Sequence, residues 1–390
     1  MSLLKGVKIV EAANVITGPL AGMLLADLGA DVLKVEAPSG DPFRRWEAES
    51  DDVRPAFAAY NRGKRSIGLN LKDDVGRSLF MELVASADVV IENSRPGVMD
   101  KLGVGWEALR EVNPRLVYCY VSGMGTVGPD RDRPTFDAVA QAMSGLWSQF
   151  TDLAAPEPVG PPMADQLTGM YAAMSILAGL RHRDATGEGV RLEVSMLASC
   201  LAFQTAAVAD VTIDGKVAGK TSRARSSQSY AFVGSDGKPF AVHLSTPQKF
   251  WHGLCRTVEM PDLAQDPRYA VKSARIAGYD ELHELLARVF MTRPRDAWLA
   301  RLAAEDVPAA PILTVEDAVD HPQVRAIDVI DRDGGPRLRG LVRSPVQVDG
   351  RHCASDRPPP LLGEDTAAVL DELGVSAAEQ DRLGANGTVA

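Results

Sequence analysis

The chain has 390 residues, with 42 Lys and Arg against 52 Asp and Glu, a formal charge of −10. That acidic balance excludes a general nucleic-acid binder and a ligand of anionic membranes, both of which need surplus cations. Apolar residues make up 45% and charged residues 24%, so the chain is globular in composition, and its length suits two to three domains of about 150 residues. Four cysteines (Cys119, Cys200, Cys255, Cys353) have no metal-ligand spacing and are too few to staple the chain. They read as reduced thiols of a cytoplasmic protein. Lys5, Lys8 and Glu11 interrupt the N-terminus, and the early apolar run Leu20–Ala26 is far short of the ~20 residues that span a bilayer.

The predicted elements alternate. Val7–Val10 reads as a strand, Leu20–Leu28 as a helix announced by Gly18-Pro19, and Asp31–Glu36 as a strand. Ser66–Leu71 is a third strand, Asp73–Ala85 an amphipathic helix, Asp88–Ile91 and Arg115–Val121 further strands. Strands separated by helices of ~10–15 residues predict βαβ units, hence an α/β class with a mostly parallel sheet. Helices are expected at 138–147 and 166–183, a strand at 190–194 and a helix at 196–208. After the basic stretch Lys220–Arg225 the texture changes. Tyr230–Val233 and Phe240–Leu244 flank Ser235-Asp236-Gly237-Lys238, a hairpin signature, and helices follow at 247–258, 279–290 and 296–304. The expected organisation is a large domain over 1–210, a smaller α+β domain over 225–325, and a segment 326–390 returning to the first.

Gly123-Met124-Gly125-Thr126-Val127-Gly128 fits G-x-G-x-x-G, but Pro129 to Pro134 follow as a turn-rich loop, where a dinucleotide fingerprint must open a helix. It reads as a backbone-accessible loop at the carboxyl edge of the sheet. Arg62, Lys64, Arg65 and Lys72 stand in eleven positions without an acid, either as a solvated run or as a phosphate site joined by Arg95 and Lys101. Asp165 precedes a long helix and reads as an N-cap, a role compatible with a reactive one, since an anion at a helix N-terminus is stabilised whether it caps or reacts. Arg44, Arg45 and Trp46 are either ligand contacts or surface ion pairs. The six histidines show no metal spacing, with His243 beside the hairpin the one of interest, and no serine lies in G-x-S-x-G. No metal site is expected.

Together the stretches resemble the family III CoA-transferases, the group of formyl-CoA transferase and crotonobetainyl-CoA:carnitine CoA-transferase, also called CaiB/BaiF-like. The resemblance rests on Ala26–Val32 with Lys34-Val35-Glu36, Asn61–Ser66, Glu92-Asn93 with Arg95-Pro96-Gly97, Gly125–Pro129 and Phe136-Asp137. It continues through Ala164–Gly169, Asp266–Tyr269, Val307–Pro311 and Pro359–Gly363. It implies a large Rossmann-like domain with a parallel sheet plus a smaller α+β domain, in an interlocked homodimer. It makes Asp165 the catalytic residue and CoA or acyl-CoA a substrate, with no permanently bound cofactor. Residues matching Asn70, Leu71, Lys72, Asn93, Ser94, Arg95 and Lys101 would line the CoA site. Ile16 and Thr17, with Val15, and Phe136 and Asp137 would approach the reacting end.

The implied activity moves CoA from an acyl-CoA thioester to a carboxylic acid, through aspartyl anhydride and aspartyl-CoA thioester intermediates. A carboxylate of ordinary pKa, ~4, would be ionised at neutral pH and need no general base. Backbone amides near Asp165 or in the 123–128 loop would stabilise the oxyanions. The chain has isoleucine at 16 and phenylalanine at 136, where some members carry glutamine and tyrosine, and lacks the glycine-run lid of formyl-CoA transferase near 245–260. Alternatives in the same fold are an α-methylacyl-CoA racemase and an intramolecular CoA-transferase acting on a dicarboxylyl-CoA. The racemase would use a histidine where Phe136-Asp137 stands, and none occurs between residues 1 and 181. A non-catalytic acyl-CoA binder is the reading from another class.

Overall fold

The computed structural model describes residues 2–46 and 54–390. It divides into two compact units, Met1–Trp147 with Pro158–Val208 and Ala326–Ala390, and Ser148–Glu157 with Ala209–Arg325. The first unit runs β1 (Lys8–Ala12), α1 (Thr17–Asp27), β2 (Asp31–Glu36), α2 (Pro55–Asn61), β3 (Lys64–Gly68), α3 (Asp74–Ala85) and β4 (Val89–Glu92). It continues with α4 (Val98–Lys101), α5 (Trp106–Val112), β5 (Val117–Ser122), α6 (Asp137–Met143), α7 (Met163–Thr186), β6 (Val190–Ser195) and α8 (Met196–Phe203).

The six strands form one parallel sheet in the order β3-β2-β1-β4-β5-β6. β4 and β5 are buried along their whole length, which explains why they are apolar up to a final Glu92 and Ser122: helices cover both faces of the sheet. Successive residues alternate between two cores. Val10, Leu33, Val90 and Tyr118 pack on Phe80 and Leu83 of α3, while Ile9, Val32, Ile91 and Cys119 pack under Leu25 of α1 and Ile176 of α7. Asp73 starts α3 by accepting from the amides of Val75 and Gly76 at 2.9 and 3.2 Å. The strand order reverses at β1, which pairs with β2 on one side and β4 on the other. In a doubly wound sheet the crevice beyond the carboxyl ends at such a switch point is where ligands bind.

Close packing at two glycines sets the helices over that crevice. A Cβ on Gly22 would lie 1.9 Å from Glu11 Oε2, so α1 rests directly on β1. A Cβ on Gly169 would lie 2.8 Å from both Leu20 Cβ and Thr17 O, so α7 rests directly on the first turn of α1. The C-terminal segment closes the open edge of β3. Gly68 and Ala390 exchange backbone hydrogen bonds, and Asp365 accepts from the Ser66 amide at 2.9 Å. In the second unit β7 (Ser229–Val233), β8 (Pro239–His243) and β9 (Ala309–Pro311) form an antiparallel sheet over a core that includes Trp251, Phe290 and Trp298. His243 shares a hydrogen bond with Ser229 across this hairpin at 2.7 Å.

Two expectations change. The helix expected over 138–147 stops at Met143, because Gly145 turns the chain with φ +78°. Most of the basic run serves the fold and is not available to a phosphate. Arg62 pairs with Asp27 in the interior. Lys64 is fully buried, with its ammonium 2.8 Å from Glu11 Oε2, Pro19 O and Asn61 Oδ1. Arg65 pairs with Asp31 and Glu372 at 2.9 and 2.8 Å. Arg44 grips Glu36 through two bonds of 2.7 Å, so it too is a structural cation. Of the four basic residues in the run, Lys72 alone is exposed.

Lys64→Met removes one of two lysines from the buried Glu11 carboxylate, and leaves acceptors without a donor. It is expected to cost about 3 kcal/mol in urea unfolding, while the folded fraction keeps its affinity for CoA. Reduced affinity with stability intact would return Lys64 to the ligand.

Candidate active site

A cavity of about 190 Å³ opens at the switch point. Its walls come from the loop after β1 (Asn14–Thr17), the loop after β4 (Asn93, Ser94), the end of β5 (Val121–Gly123), Thr135, Phe136, Met196, and Asp165 in the first turn of α7. A second hollow of about 210 Å³ shares much of that wall and extends past Arg95, Arg131 and Arg133. The 123–128 loop runs into this region and is followed by further loop until Asp137, so its glycines open no helix. A Cβ on Gly123 would meet Thr135 Cβ at 2.4 Å, so this glycine lets the loop fold back against itself.

The expected cap is reassigned. α7 begins at Met163, so Asp165 is already inside the helix, and Asp137 does the capping. One Asp137 oxygen accepts from the amides of Ala164 and Asp165 at 2.8 and 3.2 Å. The other accepts from Gln141. Asp165 makes no side-chain hydrogen bond among the described residues. Burial first, and the neighbouring Asp137 charge second, push its carboxyl up from 3.8 to about 7. The expectation of an ordinary, fully ionised aspartate at neutral pH is therefore corrected. Basicity is the gain: a carboxylate that holds its proton more tightly is also the stronger nucleophile.

A family model described as CoA-transferase family III matches residues 4–366. The chain belongs to the family III CoA-transferases. It is 34% identical over 384 residues to an acetyl-CoA:oxalate CoA-transferase of Acetobacter aceti, covering 96% of each chain. It is 35% identical over 391 residues to a succinate–glutarate CoA-transferase of Agrobacterium fabrum, covering 95% of each. Among solved structures, a CaiB/BaiF family protein from Brucella suis superposes with TM-score 0.83 at 34% identity, over 95% of this chain and 99% of that one. The enzyme is thus a CoA-transferase acting on acyl-CoA and carboxylic acids.

In this CoA-transferase, Ile16, Thr17, Asn93, Ser94, Phe136 and Asp165, all singled out from the sequence, line one cavity. Arg95 is exposed and lines the second hollow. Asn70, Leu71, Lys72 and Lys101 line neither. Lys72 and Lys101 are exposed, Asn70 accepts from the Lys72 amide at 3.1 Å, and Leu71 packs against the core. Two side chains are spent inside the protein. Asp137 holds α7, and Asn93 holds the loop after β1, accepting from Asn14 N at 2.9 Å and donating to Asn14 O and Thr17 Oγ1 at 2.8 and 3.0 Å. Sequence reasoning misses Asn14, Ser122, Thr135 and Met196; Asn14, Ser122 and Met196 stand at or just beyond a strand end, whereas Thr135, on the loop between β5 and α6, carries no such signal. It also misses Glu92 as a support: buried, and pushed up to about 7 by that burial, it accepts from the Ser94 amide at 2.7 Å and Tyr118 Oη at 3.0 Å.

The raised Asp165 carboxyl has a stability consequence. Between pH 3.8 and about 7 the native state holds this proton and the unfolded state does not. The contribution of Asp165 to stability therefore falls as pH rises through that window and is flat above it. Asp165→Asn is expected to raise the thermal midpoint at pH 8, with the gain shrinking toward pH 4. A gain independent of pH would mean that the carboxyl titrates normally.

Proposed function

We propose that the enzyme carries CoA through covalent attachment to Asp165, with short dicarboxylic acids as its acids. The observation that carries the reading is Asp165 itself: a carboxylate of raised basicity, without a hydrogen-bond partner for its side chain among the described residues, facing a small cavity at the switch point. Its oxygen attacks the thioester carbonyl carbon, the C–S bond breaks, and CoA thiolate leaves an aspartyl–acyl anhydride. The thiolate attacks Cγ of Asp165 and expels the donor carboxylate, leaving an aspartyl-CoA thioester. The acceptor carboxylate attacks that Cγ and displaces the thiolate. The thiolate then takes the acyl group from the new anhydride and frees Asp165. No proton and no external energy are consumed. Every intermediate is open to hydrolysis, so in this reading bound substrate has to keep bulk water away from Asp165.

The backbone amides of Ile16 and Thr17 are the oxyanion donors in this reading. They stand at the N-terminus of α1 on the cavity wall, with no acceptor among the described residues. The exposed cations Lys72, Arg95 and Lys101, at the carboxyl side of the sheet, are assigned to the phosphates of CoA. Dicarboxylates are favoured because relatives named for oxalate and for glutarate match over nearly the whole chain. Arg131 and Arg133 beside the second hollow, which pair on the surface with Asp132 and Asp130, offer a partner to the distal carboxylate by exchanging those pairs. The working form in this reading is a homodimer in the cytoplasm, interlocked as the family resemblance implies. Met170, Met174 and Leu177 make an exposed apolar stripe on α7, and Leu201 and Phe203 are exposed on α8, which supports a covering subunit. The four cysteines are free and buried, and among the described residues no single helix is long and apolar enough to cross a membrane.

The test crosses a panel of acyl-CoA donors with mono- and dicarboxylic acids. Transfer to C2–C6 dicarboxylates and its loss in Asp165→Ala are expected. Full transfer by Asp165→Ala, or α-carbon deuterium exchange without transfer, contradicts the reading. The kcat/KM profile should rise with pH to a midpoint near 7 as Asp165 ionises. Asp137→Asn, which removes the neighbouring charge and keeps an acceptor for the α7 amides, should move that midpoint to lower pH. An unmoved midpoint would remove Asp137 from the account.

A further inference from the structure

The loop that carries the Ile16 and Thr17 amides contains a backbone conformation that its own sequence opposes. Val15 has φ +69°, in the left-handed region where a β-branched side chain collides with its own backbone. Such a residue keeps this conformation only where its surroundings impose it. Asn93 fixes Asn14 before it and Thr17 after it. At Val15 itself the restraint is Asp41. Both Asp41 oxygens stand 3.2 Å from the Val15 amide.

Asp41 is in turn held from every side. Its Oδ2 lies 2.9 Å from Lys34 Nζ, its Oδ1 accepts from Phe43 N at 2.9 Å, and its own amide donates to Glu36 at 3.0 Å. Lys34 is fully buried and also contacts Glu11 at 3.1 Å and the Ala13 carbonyl at 2.7 Å. A buried carboxylate with a lysine on one flank and a strained amide on the other is an expensive arrangement for a surface turn. It is explained if the turn has to be held.

We propose that Asp41 is a positioning residue for CoA transfer: the Lys34–Asp41 pair locks Val15 in its left-handed conformation and thereby fixes the Ile16 and Thr17 amides on the wall of the cavity that Asp165 also lines. The proposal rests on the reading of this cavity as the transfer site. Without the lock Val15 relaxes toward an extended conformation, and the amides following it leave their positions. Acyl-CoA still binds, since its phosphates are held elsewhere, so the loss falls on kcat.

Two measurements test it. The first is a cycle with Val15→Gly, because glycine takes positive φ without strain and has less need of the lock. Asp41→Asn is expected to lower kcat per folded enzyme by about tenfold or more in the Val15 background, with CoA affinity unchanged, and by a much smaller factor in the Val15→Gly background. The same factor in both backgrounds, or wild-type kcat in Asp41→Asn, overturns the proposal. The second needs no variant and no activity. Residue-resolved amide exchange of the wild-type enzyme should show the Val15 amide strongly protected, and exchange at the rate of an unstructured amide overturns the lock. A protected Val15 in a protein that transfers no CoA would refute the proposed function and leave the lock standing.

Discussion

Two carboxylates share the first turn of α7, and most of the site follows from how they divide the work. A helix start leaves amides without partners, and an acid is the natural residue to meet them. Asp137 takes that role, from the end of a long loop, and so fixes where α7 begins. Asp165 is thereby left without a capping duty, half-buried and next to a second negative charge. Both effects raise its proton affinity. The same arrangement that anchors the helix therefore makes the free carboxylate reactive, and the stability given up in holding it there is what the chemistry draws on.

Around this pair the protein is built to keep positions fixed without spending surface charge. Glu11, Lys34, Asp41 and Lys64 form a buried ionic cluster between β1, β2, β3 and the turn after β2. Breaking such a cluster is costly, so its members tie the strands and the turn to one arrangement. The loop after β1 is pinned by Asn93 on one side and by Asp41 on the other. Gly169 lets α7 settle on Thr17 and Leu20 and brings Asp165 to the cavity that Thr17 lines. The overall charge of −10 is compatible with a polyanionic substrate on these terms, because a few exposed cations at the sheet edge suffice for one small ligand.

The sheet was legible in the sequence because its strands are buried on both faces. Val117–Ser122 reads as a strand from its apolar run, and Asp31–Glu36 was placed correctly even though Lys34 and Glu36 interrupt it. What could not be read was why those charges are tolerated. Lys64 meets Glu11 from 53 positions away, and no local pattern distinguishes a buried lysine from a solvated one. The basic run therefore read as either a solvated run or a phosphate site, and not as a set of buried pairs. The neighbourhood of the site was legible through Asp165, Ile16, Thr17, Asn93, Ser94 and Phe136, which converge on one cavity. The division of labour between Asp137 and Asp165 was not, since it depends on the path of the chain between β5 and α6. The left-handed Val15 was also invisible, because a valine gives no sign of positive φ.

The central claim is that Asp165 becomes acylated and then carries CoA. The most direct measurement adds hydroxylamine to the enzyme turning over acyl-CoA and acceptor acid, then maps the modified peptide by mass spectrometry. The account predicts a hydroxamate on Asp165 that forms only when acyl-CoA is present and is absent from Asp165→Ala. An unmodified Asp165 in an enzyme that is transferring CoA would contradict it.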